Sequence, residues 1–330
     1  MKRMIVPMSF VAAVLGSTVI NDQCTIDETS AVSCRCTGSE EFEIPGDFRG
    51  YQNTSSLHVQ YCRSAHLHDM NLILASHITE IVVDNIDGIL RFELIPKSKK
   101  LKDLRLSHIR WIPTLTRQIF IYTKEINSLT IENARIGHLG DLFSNTLITN
   151  VFLTNVTVEY AEKLYFSEER GNVLRIADSE FQNIANTWNF ANFSNVEIVR
   201  SRFYLNNPGN LKIEADEVLV KDSVFSNTSI SIIAQNSVST EDICATGKSS
   251  MSLYSNKIVS TNNRLPNQIN YHQKINLKPD DRNNTICIAG NCKCSETSGQ
   301  DTYASTIASS FAYRFLMSVV VLTSARVKSF

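Results

Sequence analysis

Residues 174–181 read Leu-Arg-Ile-Ala-Asp-Ser-Glu-Phe, residues 196–203 read Val-Glu-Ile-Val-Arg-Ser-Arg-Phe, and residues 218–225 read Val-Leu-Val-Lys-Asp-Ser-Val-Phe. Each octet starts 22 residues after the last and keeps an apolar–x–apolar pair, a Ser and a Phe in step. Upstream, Ile81-Val-Val83, Leu104-Arg-Leu106, Leu129-Thr-Ile131 and Val151-Phe-Leu153 continue the apolar pair, giving successive starts 23, 25, 22, 23, 22 and 22 residues apart. Alternation with a period of two puts both apolar side chains on one face of a short strand. A unit this small cannot bury its own face, so seven in register predict a solenoid whose coils stack to make the core.

Other positions keep the same step. Ile78, Leu101, Ile126 and Ile148 stand three residues before the first four strands, and Trp111, Ile136, Val158, Phe181, Phe203 and Phe225 stand seven after the starts of the later six. Both columns are expected in the core. The segments between strands are too polar and Asn-rich for amphipathic helices, with 88–100 and 159–171 the places where one helical turn each is expected. The reading is an all-β parallel β-solenoid.

The octets of residues 171–260 resemble the right-handed parallel β-helix family. Residues 34–158 are more similar to leucine-rich repeats, through Leu101-x-x-Leu104-x-Leu106, Ile126-x-x-Leu129-x-Ile131 and the Cys34-Arg-Cys36 that precedes Ile44-Pro45. Where a leucine-rich repeat carries its buried Asn, this chain has Ile86, Ile109, Ala134, Val156, Ser179, Ser201 and Ser223. That departure favours the β-helix. Neither resemblance implies a function by itself.

Eight cysteines sit in two groups of four, Cys24, Cys34, Cys36 and Cys62 at one end and Cys244, Cys287, Cys292 and Cys294 at the other. A solenoid exposes unpaired strand edge and bare core at both ends, so residues 21–75 and 244–294 are expected to be disulfide-stapled caps around repeats at 76–243, with the pairing open. Closing loops of tens of residues contributes about 2–4 kcal/mol per bridge. Zinc is the competing use, but the one-residue gaps of Cys34-x-Cys36 and Cys292-x-Cys294 fit poorly the two- to four-residue gaps of structural zinc sites.

Export is expected from the N-terminus. Lys2 and Arg3 precede an apolar run from Met4 to Leu15 and the small residues Gly16 and Ser17, the layout of a signal peptide over 1–20. Five sequons begin at Asn53, Asn155, Asn192, Asn227 and Asn283, candidate acceptors in an exported chain. Residues 295–330 run from a Ser/Thr-rich linker into an apolar stretch interrupted by Arg314. Ser298-Gly299 is a candidate glycolipid-anchor site, with a packed or free tail as the alternative.

Lys+Arg number 32 and Asp+Glu 33, for a net charge of −1. That balance gives no electrostatic reason to expect nucleic acid or an anionic membrane as partner. Chemistry is sought in pairs of carboxylates, as in glycosidases and lyases built on β-helices. Asp178, Arg200 and Asp222 fall on equivalent positions of successive coils and are expected to stack acid, base, acid, an arrangement suited to register and not to a general acid. His66, His68, His77 and His108 lie in the early coils, where His66 and His68 share one strand face but no third ligand has obvious spacing. No Gly-x-Ser-x-Gly elbow or phosphate-binding Gly loop occurs. The function expected is non-enzymatic recognition of an extracellular protein or glycan, without cofactor or metal, on a secreted or cell-surface chain. The alternatives are a carbohydrate-active enzyme and a structural coat component.

Overall fold

The structure, a computed structural model, describes residues 18–19, 23–37, 39–44, 54–68, 77–95, 101–141, 146–162, 170–185, 187–273, 278–287 and 292–294. Most of the expected signal peptide, Asn53, and the whole 295–330 tail with Ser298 lie outside them. The described residues are 72% strand and 2% helix and form a parallel β-solenoid of about ten turns. A leucine-rich repeat would carry a helix or 3₁₀ turn in each unit. Among the described residues there is one such turn, Arg117–Phe120. The helical turn expected within 88–100 is absent from its described part: Gly88–Phe92 instead end the strand Glu80–Phe92.

The core registers as the periodicity requires. Ile81 pairs with Leu104, Leu104 with Leu129, Leu129 with Val151, Val151 with Leu174, Leu174 with Val196, and Val196 with Val218, all in parallel strands. The column continues at both ends. Val32 and Leu57 precede Ile81, and Val238 and Ile258 follow Val218. The stack therefore extends beyond residues 76–243, because segments 31–60 and 244–286 also place an apolar residue inward once per coil. The Phe column is likewise inside. Phe181, Phe203 and Phe225 stack at 5.1 Å between successive centroids, and Trp188 meets Phe181 edge-on at 5.0 Å.

Trp111 departs from expectation. The residue paired with Ile136 is Ile112, after a bulge between Ile109 and Ile112. The long 25-residue coil has extra chain to absorb, and absorbing it there turns Trp111 outward, with the Arg135 guanidinium 5.6 Å from its ring.

Two side-chain columns turn each coil. Tyr61, Asn85, His108, Asn133, Asn155, Asp178, Arg200, Asp222, Asp242, Asn262 and Asn283 all have φ between 48° and 60°. Eight of the eleven are Asn or Asp, the non-glycine residues that adopt the left-handed region most readily. Their amides bind the next coil: Asp178 N–H donates to Val199 O, Arg200 N–H to Lys221 O and Asp222 N–H to Glu241 O, each at 3.0 Å. The following position is buried and polar in the later coils. Val156 N–H donates to Ser179 Oγ, Ser179 N–H to Ser201 Oγ and Ser201 N–H to Ser223 Oγ, at 3.1 to 3.2 Å. Further on, Ile243 N–H donates to Asn263 Oδ1 and Asn263 N–H to Asn284 Oδ1. A buried polar ladder that satisfies turn amides is thus present, made first of Ser and then of Asn, as buried backbone donors require.

The first coil is closed by antiparallel pairing, in which Cys24–Ile26 folds onto Ala31–Arg35. Cys24 bonds Cys34, Cys36 bonds Cys62, and Cys287 bonds Cys292. Cys244 is also disulfide-bonded. Lys293 and Cys294 begin a second compact unit, and Cys294 too is disulfide-bonded.

Candidate functional site

The expected charge ladder forms at the left-handed corner. Arg200 Nε and Nη2 donate to Asp178 Oδ1 and Oδ2 at 2.6 and 2.7 Å, a two-pronged fit of guanidinium to carboxylate. That hydrogen bonding raises the Arg200 pKa above its ordinary value. Asp222 adds its charge from the next coil. The group is a closed ion pair that joins successive coils.

The histidines are different. Strand Glu41–Glu43 alternates exposed, buried, exposed, and Ser64–Leu67 buries Ala65 and Leu67. Phe42, Ala65 and Leu67 therefore point into the core, and Glu43 and His66 point out from paired positions. His68 follows on the same outward face. On the next coil, Glu93 N–H donates to Leu67 O at 2.9 Å, which brings the Glu93 side chain beside His68. The result is a cluster drawn from three coils. Glu43 Oε1 lies 2.5 Å from His68 Nε2, and Glu93 Oε1 lies 3.1 Å from His68 Nδ1 and 3.2 Å from His66 Nε2. The imidazole centroids are 3.6 Å apart. Arg91, exposed, is the register neighbour of His66.

Both ring nitrogens of His68 face a carboxylate oxygen. The His68 pKa is raised, first by the Glu43 hydrogen bond, against an opposing effect of burial. For Glu93, burial acts upward, but the His68 hydrogen bond and charge outweigh it and hold the carboxyl below its usual range. Glu43, His66 and His68 each offer one ligand atom, all within 4.8 Å of one another. Sequence spacing misses Glu43 and Glu93 because they are one coil away on either side, where only the strand register reveals them. His108 sits apart at the corner column, its Nδ1 2.9 Å from Asp84 Oδ1 and its Nε2 3.1 Å from Asn133 Nδ2. His77 is exposed.

A second feature lies on the outer face of the long sheet. Glu80 and Asp103 pair on adjacent coils, and His58 Nε2 is 3.7 Å from Glu80 Oε2. Burial, and then the Glu80 charge, raise the Asp103 pKa. Asp103 Oδ1 is buried without a hydrogen bond to any described residue.

The described sequon residues fall into two environments. Asn155 Nδ2 donates to Asn133 Oδ1 at 2.7 Å, and Asn227 Nδ2 donates to Leu205 O at 3.4 Å while its Oδ1 accepts from Lys248 N–H. Asn192 and Asn283 are exposed. No helix among the described residues is long and apolar enough to cross a membrane.

Strand register, corner columns and oxidised cysteines together define the chain as a disulfide-bonded parallel β-solenoid. Compared with known proteins, it matches no family model, and no curated protein or solved structure is significantly similar to it.

Proposed function

We propose that the chain is an exported recognition solenoid of the right-handed parallel β-helix type, which presents the outer face of its long sheet to an extracellular protein or glycan. The hand follows from the near-universal right-handed crossover between parallel strands. Oxidised cysteines and the Lys2–Leu15 leader support export, and attachment through a lipid at Ser298 belongs to the same reading. Intact mass before and after phospholipase treatment tests that attachment.

One observation carries the recognition reading. Val82, Arg105, Thr130, Phe152, Arg175, Glu197, Leu219, Ser239 and Val259 are register neighbours on nine successive coils. All nine side chains face outward and none is fully buried. At about 4.8 Å per coil, the column runs about 38 Å. Apolar Phe152 and Leu219 flank the charged Arg175 and Glu197 along it, the mixture of apolar anchors and polar surround that binding surfaces use. The test is saturable binding of labelled mature protein to a printed glycan array and to intact cells of the source organism. Binding to one of them, lost in the Phe152→Asp/Leu219→Asp variant with unchanged circular dichroism, is the expected result. Absence of saturable binding to either favours the structural-coat reading, and unchanged binding in the variant removes the sheet face from the proposal.

The Glu80–Asp103 pair favours a second reading, a carbohydrate-active enzyme, since a carboxyl whose pKa is raised by burial beside a second acidic group is how glycosidases divide acid and base roles. New reducing ends from a polysaccharide panel, abolished by Asp103→Asn, would establish it over the first.

A further inference from the structure

We infer that Glu43, His66 and His68 form a site for one divalent first-row transition ion of the zinc type, with Glu93 as the carboxylate that orients His68. This is independent of the recognition reading. The donor set decides the class of ion. Two imidazoles with carboxylate match zinc and its neighbours, whereas calcium takes six to eight oxygens and magnesium keeps most of its water.

The geometry is near to binding. Ligand atoms around a tetrahedral zinc with bonds of about 2.0–2.1 Å stand about 3.3 Å apart. The three candidate atoms already lie within 4.8 Å of one another, and side-chain rotation closes the difference. The backbone beneath them does not need to move, because Glu43 and His66 are paired residues of adjacent parallel strands. The Cys36–Cys62 bridge ties the same two coils a few residues upstream.

The fourth group gives the arrangement its chemical sense. Glu93 Oε1 is 3.1 Å from His68 Nδ1. When His68 gives Nε2 to the metal, its Nδ1–H remains bonded to Glu93, the carboxylate–histidine–metal relay that fixes tautomer and ring orientation. The ion takes the place between His68 Nε2 and Glu43 Oε1, which now lie 2.5 Å apart, and any proton on that nitrogen leaves to solvent. Two carboxylates, Glu43 and Glu93, face the site. Three protein ligands leave one coordination position open, and all three side chains are at least one-third exposed or nearly so, at 71%, 32% and 33%. A water or a partner's donor atom therefore has access to the fourth position.

The test uses tag-free mature protein, stripped with chelator and dialysed. Zn2+ is titrated by calorimetry, and Co2+ is titrated by the visible d–d bands of a four-coordinate ion. The expected result is one equivalent bound, with the bands appearing to the same stoichiometry. His66→Asn/His68→Asn should lose the equivalent. Glu93→Gln should keep the site with affinity weakened about 10- to 100-fold, the range for loss of an orienting partner. His138→Asn, which alters the separate His138–Glu162 pair, should bind as wild type. Circular dichroism on each variant separates loss of the site from loss of the fold. Should the double variant misfold, the Co2+ spectrum of the wild type and the graded effect of Glu93→Gln still decide. Failure of the wild type to take up either ion, or retention of the equivalent by a folded double variant, overturns the inference.

Discussion

Replacing Ser201 by alanine tests whether the buried serine ladder holds the coils together. Ser201 is fully buried. Its Oγ accepts from Ser179 N–H at 3.2 Å and donates to Val199 O at 2.9 Å. The substitution affects these two partners unequally. Val199 O keeps the hydrogen bond from Asp178 N–H at 3.0 Å, so the carbonyl stays satisfied. Ser179 N–H has no second acceptor among the described residues and becomes an orphan donor in a dry position. Leaving one buried donor unpaired costs about 1–3 kcal/mol, and the loss of one oxygen leaves no cavity large enough to add much. In native-state hydrogen exchange, that cost means the Ser179 amide exchanges about 5- to 150-fold faster. Exchange is the right assay because a stacked array need not unfold in one step. An outward Ser239→Ala change should stay within about 0.5 kcal/mol. Unchanged protection of Ser179 in Ser201→Ala, in a protein folded as wild type, would refute the reasoning.

Three further outcomes follow from the same coordinates. Phe203→Ala removes a ring that is 1% exposed and stacked on both sides, and should cost about 3–5 kcal/mol; Phe203→Leu should cost less, and Trp188 fluorescence in a Trp111→Phe background reads both. Asp84 has a lowered pKa because the hydrogen bonds and charge of Ser107, His108 and Asn85 outweigh burial, which acts in the opposite direction; the stability it contributes is present above its unfolded pKa of about 3.9 and is lost as pH falls through the lower folded value, so acid titration should release protection at residues 84–108 in wild type and not in Asp84→Asn. Cys36→Ser/Cys62→Ser opens a 26-residue separation and should cost about 3.5 kcal/mol by loop-closure entropy, read as faster exchange in strands 41–43 and 64–67 first.

The strand column and its register were legible because packing in a solenoid is a one-dimensional repeat, and a repeat leaves a direct trace in sequence. Leu104, Leu129 and Val151 had no choice of register once each coil was nearly the same length. Trp111 was misplaced where the repeat stretched to 25 residues, since periodicity gives the length of a coil and not the point at which the extra chain is absorbed. The corner column was present in the sequence as Asn85, Asn133, Asn155, Asp178, Asp222, Asp242, Asn262 and Asn283. It is obscured because Tyr61, His108 and Arg200 interrupt the Asn/Asp pattern. An Asx residue recurring between two apolar pairs is the signal that locates such a corner.

The His–Glu cluster was not legible, and the reason is geometric. Its members are at 43, 66, 68 and 93, separated by 23, 2 and 25 residues. The separations of 23 and 25 are each one coil here, where Cys36–Cys62 and the Phe42–Ala65 pairing fix the register. A shift of one residue in either coil would turn Glu43 or Glu93 inward and replace it with a neighbour from the core face. Outward positions also carry no periodic constraint of their own, because solvent accepts any polar side chain there. Convergence of two imidazoles and two carboxylates on one outward spot is therefore not something stacking imposes. The repeat explains why Phe42, Ala65 and Leu67 are apolar, and leaves the choice of Glu43, His66, His68 and Glu93 to be explained by what the site binds.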